Sequence, residues 1–211
     1  MTSSTTTSAD APAKKSTLPL FLTLFRIAMG PAIAALILWS ASVLHRDPLL
    51  AGFIYALCLI LFVLAAITDW LDGALARKLN AVTPLGAALD HTADKVLIVC
   101  VLLALAYAAL PLELVAAALI IIGRDVAIAG LREALGAQGK TLPVSQLGKW
   151  KAAAEMAGVG AFLAFQAAAL LYAPEGAIAG LSWAARILLW AAAALALVSG
   201  AQYVRALLRK V

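Results

Sequence analysis

"LLAGFIYALCLILFVLAAITDWLDGALARK", residues 49–78, opens with twenty uncharged residues and then places two aspartates three positions apart. About twenty consecutive apolar residues match the hydrocarbon thickness of a bilayer when they are wound into a helix. The run is continuous rather than alternating. It therefore reads as a membrane-spanning helix and not as a strand of a transmembrane barrel. The question it raises is why a carboxylate pair is placed where that helix leaves the apolar phase.

Working outward, similar runs recur along the chain. The reading predicts spans at about 28–44, 49–68, from the second half of the aspartate stretch to about 110, 114–131, 152–172 and 181–207. Polar breaks separate them at "HRDP" (45–48), "PLE" (111–113), the Gly- and charge-rich 132–151, and "APEG" (173–176). Residues 18–27, "LPLFLTLFRI", read as an interfacial lead-in, with Thr23 and Arg26 interrupting an apolar face. The expectation is an all-α polytopic membrane protein of six transmembrane helices. Residues 18–211 form one membrane domain, preceded by a disordered cytoplasmic tail at 1–17 that lacks the apolar region of a cleavable signal.

Composition agrees. The chain is 64% hydrophobic and 13% charged, against about a quarter charged in soluble domains, and its mean hydropathy is +1.00. Abundant alanine and few aromatics suit helices that approach closely through small side chains. Fourteen of the sixteen Lys and Arg residues fall on one side of the predicted spans, and only Arg46 and Arg186 on the other. The positive-inside bias then places both termini and the aspartates in the cytoplasm. The net charge of +5 reads as topology and contact with anionic lipid, with no nucleic acid implied. Cys58 and Cys100 lie in apolar runs and read as small buried hydrophobes.

The stretch 68–95 holds Asp69, Asp72, Asp90 and Asp94, four of only eleven acidic residues. At spacings of three and four, each pair shares one face of a helix. A loop carrying Arg77, Pro84 and Gly86 would fold the second pair back opposite the first. Two acids at a helix end would pass as a solvated turn. Four converging at membrane depth repel one another and require a cation among them. Lys95 and Arg77 are near in sequence, but this many hard oxygen donors suit Mg²⁺ or Mn²⁺ better. Gly73 and Gly86 would let a phosphate or nucleotide approach the backbone. Divalent metal plus phosphate is the chemistry these residues point to, with two ions clamping a phosphoryl group.

The spacing Asp69-x2-Asp72-Gly73-x2-Ala76-Arg77-x8-Gly86-x3-Asp90-x3-Asp94 resembles, position by position, the signature of the CDP-alcohol phosphotransferase family. That resemblance implies six transmembrane helices, a homodimer, and a site at the cytoplasmic interface. The activity it implies is transfer of a phosphoalkyl group from a CDP-linked donor to an alcohol, with release of CMP. It further implies that Asp69, Asp72 and Asp90 ligate metal. Asp94 is the general base and touches the second ion, and Gly73, Ala76, Arg77 and Gly86 line the CDP pocket beside Asp69 and Asp72. His91 stands where Pro is expected, Asp125 where Glu is common, and Ala152 where Thr is common.

Two further stretches, "LPLFLTLFRIAMGP" and "GRDVAIAGLREALGAQGKTLPVSQLGKWKAAAEM", resemble the bacterial branch of that family that joins CDP-diacylglycerol to glycerol 3-phosphate. The location implied is the bacterial inner membrane. An anionic acceptor calls for cations, and Arg124, Arg132, Lys149 and Lys151 are the candidates for its phosphate. Arg124 lies in an apolar run beside Asp125, so it requires a partner; site architecture or an internal salt bridge is as good a reading for it as phosphate contact. Rival readings are a cardiolipin synthase or phosphatidylinositol phosphate synthase of the same family. A non-catalytic divalent-cation membrane protein is weaker, because the acids cluster at one interface instead of lining a path.

Overall fold

The computed structural model describes the backbone of residues 17–78, 84–136 and 146–208, and the side chains of 23–68, 92–136, 146–203 and 205. The tail 1–16 and Lys140 lie outside the described residues. Six helices follow in order: α1 (Thr17–Val43), α2 (Pro48–Lys78), α3 (Pro84–Ala108), α4 (Leu112–Gly136), α5 (Gln146–Leu170) and α6 (Glu175–Leu208). Five of them contain stretches long and apolar enough to cross a membrane. These are Thr23–Val43, Pro48–Thr68, Leu112–Gly136, Gln146–Leu170 and Glu175–Tyr203.

Two local readings change. The lead-in is not a separate segment: α1 runs unbroken from Thr17 to Val43, through Pro31. The loop between the aspartate pairs is also shorter than the sequence suggested. Arg77 is still on α2, whereas Pro84 and Gly86 already belong to α3. Proline at the first turn of a helix costs no hydrogen bond, because that N–H would have no partner anyway. At 31 residues α2 is about 46 Å long, more than the roughly 30 Å hydrocarbon core. Its last turns therefore extend past the apolar slab, and the aspartates ride on them.

The turns at the opposite end follow from their residues. Asp47 caps α2 by accepting from the Leu50 N–H at 2.9 Å, with Pro48 at the first helical position. Tyr172 ends α5 in the left-handed region at φ 55°. The N–H of Ala173 then reaches back to the Ala168 carbonyl at 2.9 Å, and Pro174 prevents the helix from resuming.

The helices pack in a ring, α1–α2–α5–α6–α4–α3, closed by a slight contact between α3 and α4. Ile33, Leu97, Leu105, Ile121, Leu163 and Leu189 fill its interior, while Phe53, Leu119, Trp183 and Ile187 face outward. That outward face is what lipid requires. Glycine permits the closest approaches: a β-carbon on Gly30 of α1 would stand 2.9 Å from the Leu97 Cα of α3. This pairing sets α1 and α3 so that the ion pair described next forms across them.

Candidate active site

Asp69, Asp72, Gly73, Ala76 and Arg77 lie on the last turns of α2, and Gly86, Asp90 and Asp94 on the first turns of α3. Only residues 79–83 separate the two helices, a tether that cannot exceed about 20 Å. α1 packs on both. The two pairs therefore keep their helical spacings of three and four, and are carried to the same pole of the bundle.

Of the four aspartates, Asp94 is the one whose side chain is described. Its Oδ1 accepts from the Arg26 Nη1 at 2.7 Å, in an ion pair between a fully buried guanidinium and a carboxylate that is 36% exposed. A charge with no water around it persists only when it is paired, so Arg26 orients Asp94 from the neighbouring helix. The sequence reading noticed Arg26 only as an interruption of an apolar face. Its partner is 68 residues away, beyond any local pattern.

Beside this pair, inside the ring, lies a second polar cluster built from α3, α4, α5 and α6. Asp125 of α4 is its hub, only 8% exposed. It accepts from Lys151 at 2.7 Å and from Arg124 at 3.1 Å, and pairs with Lys95 at 3.4 Å. Lys151, 2% exposed, also donates to Glu155 one turn on, at 2.5 Å. Arg124 reaches across to the Ser199 hydroxyl at 3.1 Å and lies over the Tyr203 ring at 5.7 Å. Three cations meet two carboxylates here, leaving one positive charge in excess. The Arg124 Nε and one Glu155 oxygen have no hydrogen-bond partner among the described residues.

The four cations proposed for an acceptor phosphate do not gather at one point. Arg124 and Lys151 meet at Asp125 and are engaged by it. Arg132 is seven residues beyond Asp125 on α4, two turns along the same face and closer to the pole. Lys149 is exposed, and two residues from Lys151 it points away from the cluster. Lys95, Glu155, Ser199 and Tyr203 join the site without having been singled out. The signal available for Glu155 was its spacing of four from Lys151 inside an apolar helix.

The pole thus combines a carboxylate motif on two helix ends with a buried cationic cluster. The chain matches the CDP-alcohol phosphatidyltransferase family over residues 16–198. It belongs to that family. Among similar proteins, the CDP-diacylglycerol–glycerol-3-phosphate 3-phosphatidyltransferase of Rickettsia bellii is 37% identical over 190 residues, covering 90% of this chain and 94% of that protein. The enzyme of the same name from Pectobacterium atrosepticum is 36% identical over 195 residues, covering 90% and 93%. The one from Cereibacter sphaeroides is 37% identical over 143 residues, which is 67% of this chain and 61% of that enzyme's length. A CMP-forming cardiolipin synthase of Oryza sativa subsp. japonica is 32% identical over 169 residues, 72% of this chain and 47% of that protein. The aspartate signature lies wholly within the matched region.

Proposed function

We infer that this family member is a CDP-diacylglycerol–glycerol-3-phosphate 3-phosphatidyltransferase, a membrane enzyme of phospholipid biosynthesis that yields phosphatidylglycerophosphate and CMP. The observation that carries the reading is full-length similarity to enzymes of that name, joined to the placement of the signature residues on adjoining ends of α2 and α3. The finer reading is a bacterial inner-membrane protein of six spans. Residues 18–211 form its membrane domain, residues 1–17 a cytoplasmic tail, and its termini and site face the cytoplasm. A homodimer is part of the same reading.

The donor set at the pole is made of carboxylates alone, which fits hard divalent cations, and we assign Asp69, Asp72, Asp90 and Asp94 to hold two of them, Mg²⁺ or Mn²⁺. When bound, such ions neutralise the charge that develops on the transferred phosphoryl group. Gly73, Ala76, Arg77 and Gly86 line the pocket for CDP. Glycerol 3-phosphate approaches with its free primary hydroxyl toward the β-phosphorus of the donor. Asp94, held by Arg26, takes the hydroxyl proton as the new oxygen–phosphorus bond forms. The bond to the bridging oxygen breaks, and CMP leaves.

The acceptor's phosphate is held by the cationic side of the site. Arg124 and Lys151 contribute field from the cluster, and Arg132, at the mouth on the same face of α4, supplies direct charge-assisted contact. Losing one such contact costs roughly 1.5–3 kcal/mol, or about tenfold to a hundredfold in affinity. Arg132→Gln should therefore raise the KM for glycerol 3-phosphate by that factor and leave the KM for CDP-diacylglycerol unchanged. Lys149→Gln should raise it less, because Lys149 faces away. Steady-state kinetics with each substrate varied is the check, and an unaltered acceptor KM in Arg132→Gln would remove it from the site. The cardiolipin-synthase relative supports a second reading, with phosphatidylglycerol as acceptor.

A further inference from the structure

An apolar cleft of about 610 Å³ runs between α2 and α5, lined by Phe62, Ile67, Ala153, Ala157, Gly160 and Ala164 among others. That volume is in the range of clefts that hold small ligands. Its two ends differ. At the aspartate pole its α2 wall finishes at Ile67, two residues before Asp69, and its α5 wall starts at Ala153. Halfway along, a β-carbon built on Gly160 would still stand 3.9 Å from the Phe62 ring, so the space there is open. Past Leu59 and Ala164 it closes. Buried Tyr55 shares a hydrogen bond with the Gln166 side chain across the two helices. One turn further, α2 and α5 are so close that a β-carbon on Gly52 would meet Leu170 and Leu171 at 3.0 Å.

From Ala153 to Ala164 the cleft extends about 16 Å along α5, close to the half-thickness of a bilayer core of roughly 30 Å. It begins where the donor's phosphates would be held and descends by one leaflet. We propose that the cleft seats one acyl chain of the lipid donor, and that the Tyr55–Gln166 pair is the stop that sets how long a chain reacts well. The proposal rests on CDP-diacylglycerol being the donor.

Lipid tails are as apolar as the cleft, so entering it brings no hydrophobic gain from water. Selection must come from exclusion. A chain longer than the cleft has to displace two hydrogen-bonded side chains from apolar surroundings, and groups so separated are left unsatisfied. A chain that ends before the stop meets no such resistance. Filling the cleft at its middle should likewise penalise long chains more than short ones, since overpacking is resisted by the helices on both sides.

The test uses the purified full chain in detergent micelles, with CDP-diacylglycerols of different chain length compared pairwise by CMP release with glycerol 3-phosphate. Gly160→Leu should lower the dipalmitoyl to dioctanoyl ratio of kcat/KM by about tenfold. The double variant Tyr55→Phe, Gln166→Ala removes the clasp without stranding a hydrogen-bond partner. It should raise the ratio of dierucoyl to dipalmitoyl donor severalfold, and CDP titration of both variants verifies that they are folded. A photoactivatable group at the donor's acyl terminus should label the Tyr55 segment, and unlabelled donor should compete it away. Labelling as strong from phosphatidylcholine, and indifferent to donor, would make the cleft a general lipid or subunit contact and overturn the proposal. CMP release with chain-length ratios unaltered in both variants would overturn the stop alone. No CMP release from the unaltered protein with any chain length would overturn the reading on which the proposal rests.

Discussion

Asp69→Ala or Asp72→Ala should abolish turnover together with the metal dependence of CDP binding, whereas Asp94→Asn should abolish turnover with CDP still held. The reason is a division of labour within one motif. The α2 pair holds the nucleotide's diphosphate through the divalent ions, so losing either ligand removes binding and chemistry together. A general base acts on the acceptor proton only as the transition state forms, so its loss falls on kcat. Base removal alone is worth roughly 10²–10⁴ in rate. Asparagine keeps an oxygen in reach of Arg26, and the ion pair across α1 and α3 degrades to a hydrogen bond without being vacated. Calorimetric titration with CDP, with and without Mg²⁺, separates the two classes of variant. Nucleotide affinity indifferent to metal and to either α2 substitution would contradict the metal assignment, and turnover at the unaltered rate in Asp94→Asn would contradict the base.

Lys151→Met should be the most destabilising substitution in the cluster, by about 3–5 kcal/mol, the usual cost of breaking a buried pair by removing one partner. Asp125 would still be met by Arg124 at 3.1 Å and Lys95 at 3.4 Å. Glu155, 4% exposed, would lose the ammonium at 2.5 Å that neutralises it. Adding Glu155→Leu to the same chain should recover most of the loss, because replacing both partners with apolar side chains is far less costly than orphaning one. Thermal unfolding in detergent should show a fall of roughly ten degrees or more for the single variant and a much smaller one for the double. If Lys151 served the acceptor phosphate alone, the single variant would unfold at the unaltered temperature and differ only in acceptor KM.

The membrane-helical fold was legible because a bilayer imposes a length on apolar runs, and the runs at 49–68 and 114–131 carry it without ambiguity. Helix ends were less so: α1 begins at Thr17 and α2 continues to Lys78, because helices longer than the bilayer core need no apolar signal for their outer turns. The aspartate motif was legible from spacing alone, since helical periodicity places positions three and four apart on one face. What joins distant elements was not. Arg26 with Asp94 and Lys95 with Asp125 depend on which helices become neighbours in the ring. Grouping Lys149 with Lys151 by closeness in sequence also overlooked that two residues on a helix point to nearly opposite sides. Arg124 shows the middle case: its burial in an apolar run announced that it needed a partner, and Asp125, Ser199 and Tyr203 supply what it needed.

The central claim is most directly tested by product analysis. The purified chain is supplied with CDP-diacylglycerol, Mg²⁺ and, in parallel reactions, glycerol 3-phosphate, phosphatidylglycerol, inositol 1-phosphate or no acceptor, and CMP and lipid products are measured together. The account predicts CMP release that depends on glycerol 3-phosphate and is matched by phosphatidylglycerophosphate in equal amount. CMP release driven by phosphatidylglycerol with cardiolipin as product, or none with any acceptor, would contradict it.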